Sequence, residues 1–244
     1  MYLCTVKFEI VHIEETDSTN RWLRENGVGD MVVVADYQTA GRGCGTNSWE
    51  SERGQNLTFS MLWHPADIPA RGQFRISEIV SVALCRVLDG YLGGGVEVKW
   101  PNDIYYDGRK LAGILIENRL QGPAVKECIV GIGLNVNQQR FLSDAPNPVS
   151  LRQLLGHDVD REELLHAFLD SFEAVSLAEN TSDDYRCRLF RRTGVHDFSD
   201  KNGAFSARIA GVLDDGRLVL EDTSGQRRIY AFKEVQFHVC PRQG

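Results

Sequence analysis

Residues able to handle an anion concentrate in two stretches of the chain. The first, Asp36-Tyr37-Gln38-Thr39-Ala40-Gly41-Arg42-Gly43-Cys44-Gly45-Thr46-Asn47-Ser48-Trp49, has glycine at 41, 43 and 45 around Arg42. Glycines let backbone N–H groups approach an anion closely, and a guanidinium is a permanently charged planar fork suited to carboxylate or phosphate. It follows neither the Gly-Lys-Ser/Thr phosphate-loop pattern nor the dinucleotide fingerprint, so a generic flexible loop is an equal reading of this stretch alone. The second runs V-K-W-P-N-D-I-Y-Y-D-G-R-K-L-A-G-I-L-I-E from Val98 to Glu117 and gathers Lys99, Asn102, Asp103 and Lys110 beside strand-like runs at Val96–Trp100 and Leu111–Glu117. Charge beside buried strand is costly unless it has work to do. The plainer reading is a hairpin turn at Asp107-Gly108 with solvated lysines around it.

Two further patterns are polar where a core element is expected. Asp17-Ser18-Thr19-Asn20 precedes Arg21-Trp22-Leu23-Arg24, where Asp17 or Ser18 suits a helix N-cap; helix capping alone accounts for this, or donors left over face a ligand. Lys126 to Val136 reads as a buried strand whose Gly131 and Gly133 permit close approach of a ligand or backbone, and the alternation after it places Asn135 and Asn137 on one side.

The elements that must position these residues follow from periodicity. Strands are expected at Val6–Ile13, Met31–Ala35 and Asn56–Trp63, and a core helix over Gln73–Leu92, where apolar residues recur at helical spacing before Gly93-Gly94-Gly95. Ser150–Gly156 reads as a short helical turn and Arg161 to about Arg192 as helix. Beyond Thr193-Gly194, short strands at Ser206–Leu213, Arg217–Glu221, Arg227–Phe232 and Glu234–Val239 alternate with tight turns, predicting a small β-barrel. The division expected is therefore 1–193 and 194–244.

Composition excludes some functions. A net charge of −7 disfavours a large nucleic-acid surface. Cys4, Cys44, Cys85, Cys128, Cys187 and Cys240 form no C-x-x-C pair and no zinc spacing, which fits a reducing cytoplasm. No apolar run approaches the roughly 20 residues of a membrane span, and no signal segment is evident.

Taken together, T-A-G-R-G-x-x-x-x-S-W-E-S at Thr39–Ser51, K-W-P-N-D-I with K-L-A-G-I-L-I-E between Lys99 and Glu117, and G-I-G-L-N-V-N at Gly131–Asn137 resemble the biotin protein ligase family in order and spacing. The resemblance implies an α+β fold: a mixed sheet with packed helices, like class II aminoacyl-tRNA synthetases, carrying a biotin/ATP-binding domain, plus a C-terminal SH3-like β-barrel. It implies that biotin and MgATP form biotinyl-5'-AMP, and that a lysine of a biotin carboxyl carrier domain then takes the biotinyl group. Lys110 and Arg42 become the catalytic pair. Ser18, Thr19, Asn20, Gln38, Gly41, Gly43, Cys44, Gly113, Ile114 and Leu115 become biotin contacts with them. Trp49, Lys99, Asn102, Asp103 and Asn135 fall to ATP, with Asp103 the Mg2+ ligand. A lipoate ligase, or a binding module without activity, would share much of this pattern. A homodimer is compatible with it.

Two departures stand out. The family loop usually reads G-R-G-R-x-G-R-x-W, whereas Cys44, Thr46 and Asn47 stand here in place of Arg, Gly and Arg. Two cationic contacts are missing, which implies looser retention of biotinyl-AMP. Some members also carry an N-terminal helix-turn-helix domain and repress transcription; this chain enters the catalytic pattern almost at once, so the form without that domain, and no DNA binding, is expected.

Overall fold

A computed structural model describes residues 7–45, 47–142 and 147–238. Seven strands form one mixed sheet in the order β1-β2-β3-β7-β6-β5-β4, comprising β1 (Glu9–Thr16), β2 (Met31–Gln38), β3 (Leu57–Trp63), β4 (Val96–Lys99), β5 (Asp103–Tyr106), β6 (Arg109–Gln121) and β7 (Ala124–Leu134). Only β1 and β2 run parallel; the other neighbours are antiparallel. Every residue of β3 is buried, because the sheet is covered on both faces.

The larger core lies under α2 (Phe74–Leu92), whose Ile76, Ile79, Val80, Ala83, Leu84 and Leu88 meet Phe168 and Phe172 of α4 (Arg161–Ser176) and strand residues such as Phe59, Met61 and Val130. Gly93, left-handed at φ 77°, ends α2 as the glycine run implies. On the other face, α1 (Thr19–Asn26) packs Leu23 against Met31, Val33, Leu62 and Ile129. That small contact leaves the N-terminus of α1 beside the end of β2.

A second, antiparallel sheet of five strands, β8 (His196–Asp200), β9 (Gly203–Val212), β10 (Leu218–Asp222), β11 (Arg227–Tyr230) and β12 (Gln236–Phe237), follows in the order β11-β10-β9-β8-β12. It is the expected C-terminal SH3-like element. The Trp100 indole donates to the Gly216 carbonyl at 2.8 Å, which ties the turn after β4 to this second sheet.

Two readings of secondary structure are corrected and one strand is added. Asp103–Tyr106 is a strand in its own right, hidden in sequence because four residues stand between two turn signals. The helix expected to about Arg192 ends at Ser176, resumes as α5 (Thr181–Cys187; α3 is Leu151–Leu155) and gives way to Leu189 bridging Val98. His196–Asp200 is a strand despite its polar sequence, since only Phe198 is buried there. Val6 and Val239, the expected ends of two strands, lie outside the described residues, as do Cys4 and Cys240. Cys44, Cys85, Cys128 and Cys187 are free thiols. No helix among the described residues is long and apolar enough to cross a membrane.

Candidate active site

Side chains of one sheet face alternate along a strand, so residues in register across neighbouring strands form rows. One row runs Ser60, Gly131, Leu115 across β3, β7 and β6, and the next runs Thr58, Gly133, Gly113, Asp103 into β5. Three of those positions are glycine, so the face has a flat floor. Above it opens a cleft of about 1150 Å3, bordered by the Gly-rich loop, the turn at 100–102 and the second sheet. Its lining carries Arg42, Lys99, Lys110 and Lys233 against Glu50 and Asp103, a cationic excess in a chain of net charge −7.

One end of the cleft is a buried polar network. Gln38 Oε1 accepts from the Thr19 backbone N–H at 2.8 Å and its hydroxyl at 3.0 Å, which leaves the Gln38 amide nitrogen available. Ser60 Oγ lies 2.6 Å from both Thr19 Oγ1 and Asn20 Oδ1, and Asn20 Nδ2 donates to Glu117 at 2.9 Å. Arg24 clamps that carboxylate at 2.7 Å. Ser18 occupies the N-cap position without a side-chain capping bond, so capping does not account for its hydroxyl. A fully connected network of this kind fixes its members against rotation. Ser60 and Glu117 are not singled out in the sequence; Ser60 is one of two hydroxyls, with Thr58, in the otherwise apolar run L-T-F-S-M-L-W and reads there as core.

Lys110 stands midway. Lys110 and Gly113 are three residues apart and would face opposite ways on an unbroken strand, yet both border the cleft. The register between β5 and β6 shifts between Ile104 and Tyr105, and the bulge resets the alternation. Lys110 is also held from behind, donating its backbone N–H to Asn147 and accepting from Val149. Its ammonium lies 2.8 Å from Asp103 and 5.9 Å from the centre of the Trp49 ring.

The Gly-rich loop is a small hairpin closed by Gly43 N–H to Asn47 O at 2.8 Å and Trp49 N–H to Gly41 O at 2.9 Å. Two expectations change with it. Gly41 forms the neck of the hairpin instead of lining the cleft, because a Cβ there would stand 2.5 Å from the Trp49 carbonyl. The Gly43 N–H is engaged inside the loop. Arg42 and Cys44 do border the cleft; Thr46 lies outside the described residues. The Trp49 indole rests on the floor, where a Cβ at Gly133 would lie 2.2 Å from the ring.

At the far end, Asn135 is buried. Its Nδ2 donates to the Val149 carbonyl at 3.1 Å, while Oδ1 has no partner. Asn137 instead exchanges hydrogen bonds with Val159, so the two amides part company. Asn102 donates to the Ile114 carbonyl at 2.9 Å and pins the turn onto β6. Burial pushes the Lys99 ammonium below its ordinary pKa of 10.5, with Asp103 opposing and Lys110 adding to the shift; its Nζ sits 5.4 Å from the Tyr105 ring and 5.5 Å from that of Phe237 in the second sheet. Ile114 and Leu115 complete the wall. Among the described residues no three His, Cys, Asp or Glu side chains gather as a metal site.

The family model described as the biotin/lipoate A/B protein ligase family matches residues 12–135, which hold the polar network, the Gly-rich loop, Lys110 and Asn135. The chain belongs to this family. Among curated biotin/lipoate ligase relatives, the bifunctional ligase/repressor BirA of Bacillus spizizenii is 32% identical over 231 residues, 90% of this chain and 70% of that one. The biotin--[acetyl-CoA-carboxylase] ligase of Paracoccus denitrificans is 30% identical over 247 residues, covering 92% of this chain and 99% of its own. In fold, the chain superposes on the biotin protein ligase from Aquifex aeolicus solved in complex with biotin and ATP, with a TM-score of 0.78 at 23% identity over 95% of this chain and 99% of that one.

Proposed function

We propose that this chain is an ATP-dependent biotin protein ligase, with residues 1–193 as its catalytic domain and 194–244 as the small β-rich domain. Biotin and MgATP form biotinyl-5'-AMP and pyrophosphate, and a lysine of a biotin carboxyl carrier domain displaces AMP to leave an amide. The observation that carries this reading is the position of Lys110 between a buried hydrogen-bonding end and an aromatic and amide end of one cleft. The names of the Bacillus and Paracoccus relatives support it.

Each end suits one half of the adenylate. The ureido ring of biotin presents a carbonyl and two N–H groups, matched by the Gln38 amide nitrogen and by the Ser18 and Thr19 hydroxyls; Asn20 holds Thr19's neighbour Ser60 in place. Gly113, Ile114 and Leu115 form the wall along the bicyclic ring and valeryl chain. The Lys110 ammonium draws the biotin carboxylate and the α-phosphate together, offsets their repulsion as the carboxylate oxygen attacks phosphorus, and stabilises charge on the pentavalent centre. Arg42 binds the same phosphate, with Cys44 of the loop beside it. Trp49 offers a face for adenine, and the unpartnered Asn135 Oδ1 can accept only a donor such as the adenine amine. Lys99 and Asn102 serve the β- and γ-phosphates. Asp103 would be the carboxylate that helps hold the Mg2+ of MgATP, where the ion would neutralise phosphate charge; one protein carboxylate is ordinary for Mg2+ held chiefly by phosphates and water.

The decisive assay combines MgATP, an apo carrier domain and either biotin or lipoate, and reads acceptor mass. Biotin is transferred. Lipoate, whose dithiolane ring has no hydrogen-bonding groups, leaves Ser18, Thr19 and Gln38 unmatched and is disfavoured by about 10⁴-fold in kcat/KM. Transfer of lipoate at a comparable rate, or of neither, overturns the reading.

Lys99 gives the site a pH limit. It binds phosphate only while protonated, and its pKa lies below 10.5 because burial disfavours the charged form. The KM for ATP therefore rises with alkaline pH before an ordinary lysine would titrate. Lys99→Arg keeps its charge and flattens that limb; an identical pH profile in the variant would exclude Lys99 as its source.

A further inference from the structure

The loop that should enclose the acyl-phosphate carries one arginine, Arg42, where three cations stand in the pattern it resembles. A cation does nevertheless reach the loop, from the other sheet. Lys233 follows β11 in the segment that leads to β12, and its ammonium donates to the Cys44 carbonyl at 3.3 Å. It lies so close over Gly45 that a Cβ at that position would stand 2.0 Å from Nζ. Both Lys233 and Cys44 line the cleft that holds Lys110 and Arg42.

The backbone adds a second observation. Lys233 has φ 70°, left-handed geometry that favours glycine and strains a lysine side chain. A lysine that remains where glycine is easier is consistent with a side chain that has a task. The residues around it leave its charge available: Phe232 lies 5.9 Å away as a ring, and Cys44 offers only a neutral carbonyl. No carboxylate is paired with Lys233 among the described residues.

We propose that Lys233 is the cation that replaces the missing loop arginines: it swings from the Cys44 carbonyl onto the phosphate of biotinyl-AMP, so that the C-terminal sheet closes the active site by charge. This rests on the ligase reading above. It also reverses the sequence-based expectation that the altered loop retains biotinyl-AMP loosely, because the charge comes from a different part of the chain.

Lys233→Met keeps the length of the side chain and removes the charge, and Lys233→Gly relieves the left-handed strain as well. Each protein is loaded with biotin and MgATP, and dissociation of biotinyl-AMP is followed in a chase at 0.05 and 0.5 M salt. Loss of a charge-assisted contact raises the off-rate about tenfold or more in both variants at low salt. The wild-type rate climbs toward theirs as salt rises, while theirs changes less. Lys233→Gly melts no lower than wild type, which separates ligand retention from folding. Lys233→Met with the wild-type off-rate, or with the wild-type salt dependence, overturns the proposal while the ligase reading stands. A wild type that makes no biotinyl-AMP sinks both.

Discussion

Lys110→Ala abolishes biotin-dependent ATP–pyrophosphate exchange, by about 10³-fold or more, and leaves the melting temperature nearly unchanged. The two halves have separate causes. Activity falls because removing a preorganised charge from a developing phosphoryl centre costs about 10²- to 10³-fold for a single donor, and Lys110 is also the group that brings two anions into contact. Stability holds because the pair it leaves is not deeply buried: Asp103 is 28% exposed and Lys110 23%, so water can hydrate the abandoned carboxylate. The strand stays in place through backbone bonds to Asn147 and Val149, which the substitution does not touch. Lys110→Arg does not restore the rate, since a planar fork on a bulged strand cannot occupy the position of a compact ammonium. Exchange near the wild-type rate in Lys110→Ala would remove the lysine from the reaction.

Why Lys110 was legible in the sequence, and Ser60 and Lys233 were not, has a physical reason. Lys110, Asp103 and Arg42 stand beside glycines and turns, where local chemistry is unusual for its surroundings. Ser60 stands in a buried strand, and nothing local distinguishes a hydroxyl that joins a network from one that packs; its role depends on α1 arriving across the sheet with Thr19 and Asn20. Lys233 is 189 positions from Cys44, so only the docking of the second sheet brings them together. The same distinction runs through the fold. Long periodic segments such as α2 were visible, as was the Asp107-Gly108 turn, where both residues take positive φ. The strand at Asp103–Tyr106 was not, because its pairing with β4 and β6 outweighs its weak local pattern.

Gly131→Ala weakens biotin binding by about 10²-fold and lowers stability by about 1–3 kcal/mol, the usual range for overpacking a filled site. The added Cβ lands 2.2 Å from Asn20 Oδ1 and 3.0 Å from its Cγ, well inside contact distance. Asn20 cannot yield cheaply. Its oxygen is held by Ser60 at 2.6 Å, its nitrogen by Glu117 at 2.9 Å, and the residue is only 4% exposed. Gly131 cannot retreat either, since it lies on β7 between Ser60 and Leu115, with strands on both sides. Moving Asn20 therefore disturbs Ser60, and with it the Thr19 and Gln38 groups set for the ureido ring. Gly133→Ala is an instructive contrast one row away: its Cβ meets the Trp49 ring at 2.2 Å and not the Asn20 network, so that substitution affects nucleotide binding more than biotin binding. Calorimetric titration with biotin alone, then with ATP, separates the two. Equal biotin affinity in Gly131→Ala and wild type would show that the network under the floor does not shape the biotin end of the cleft.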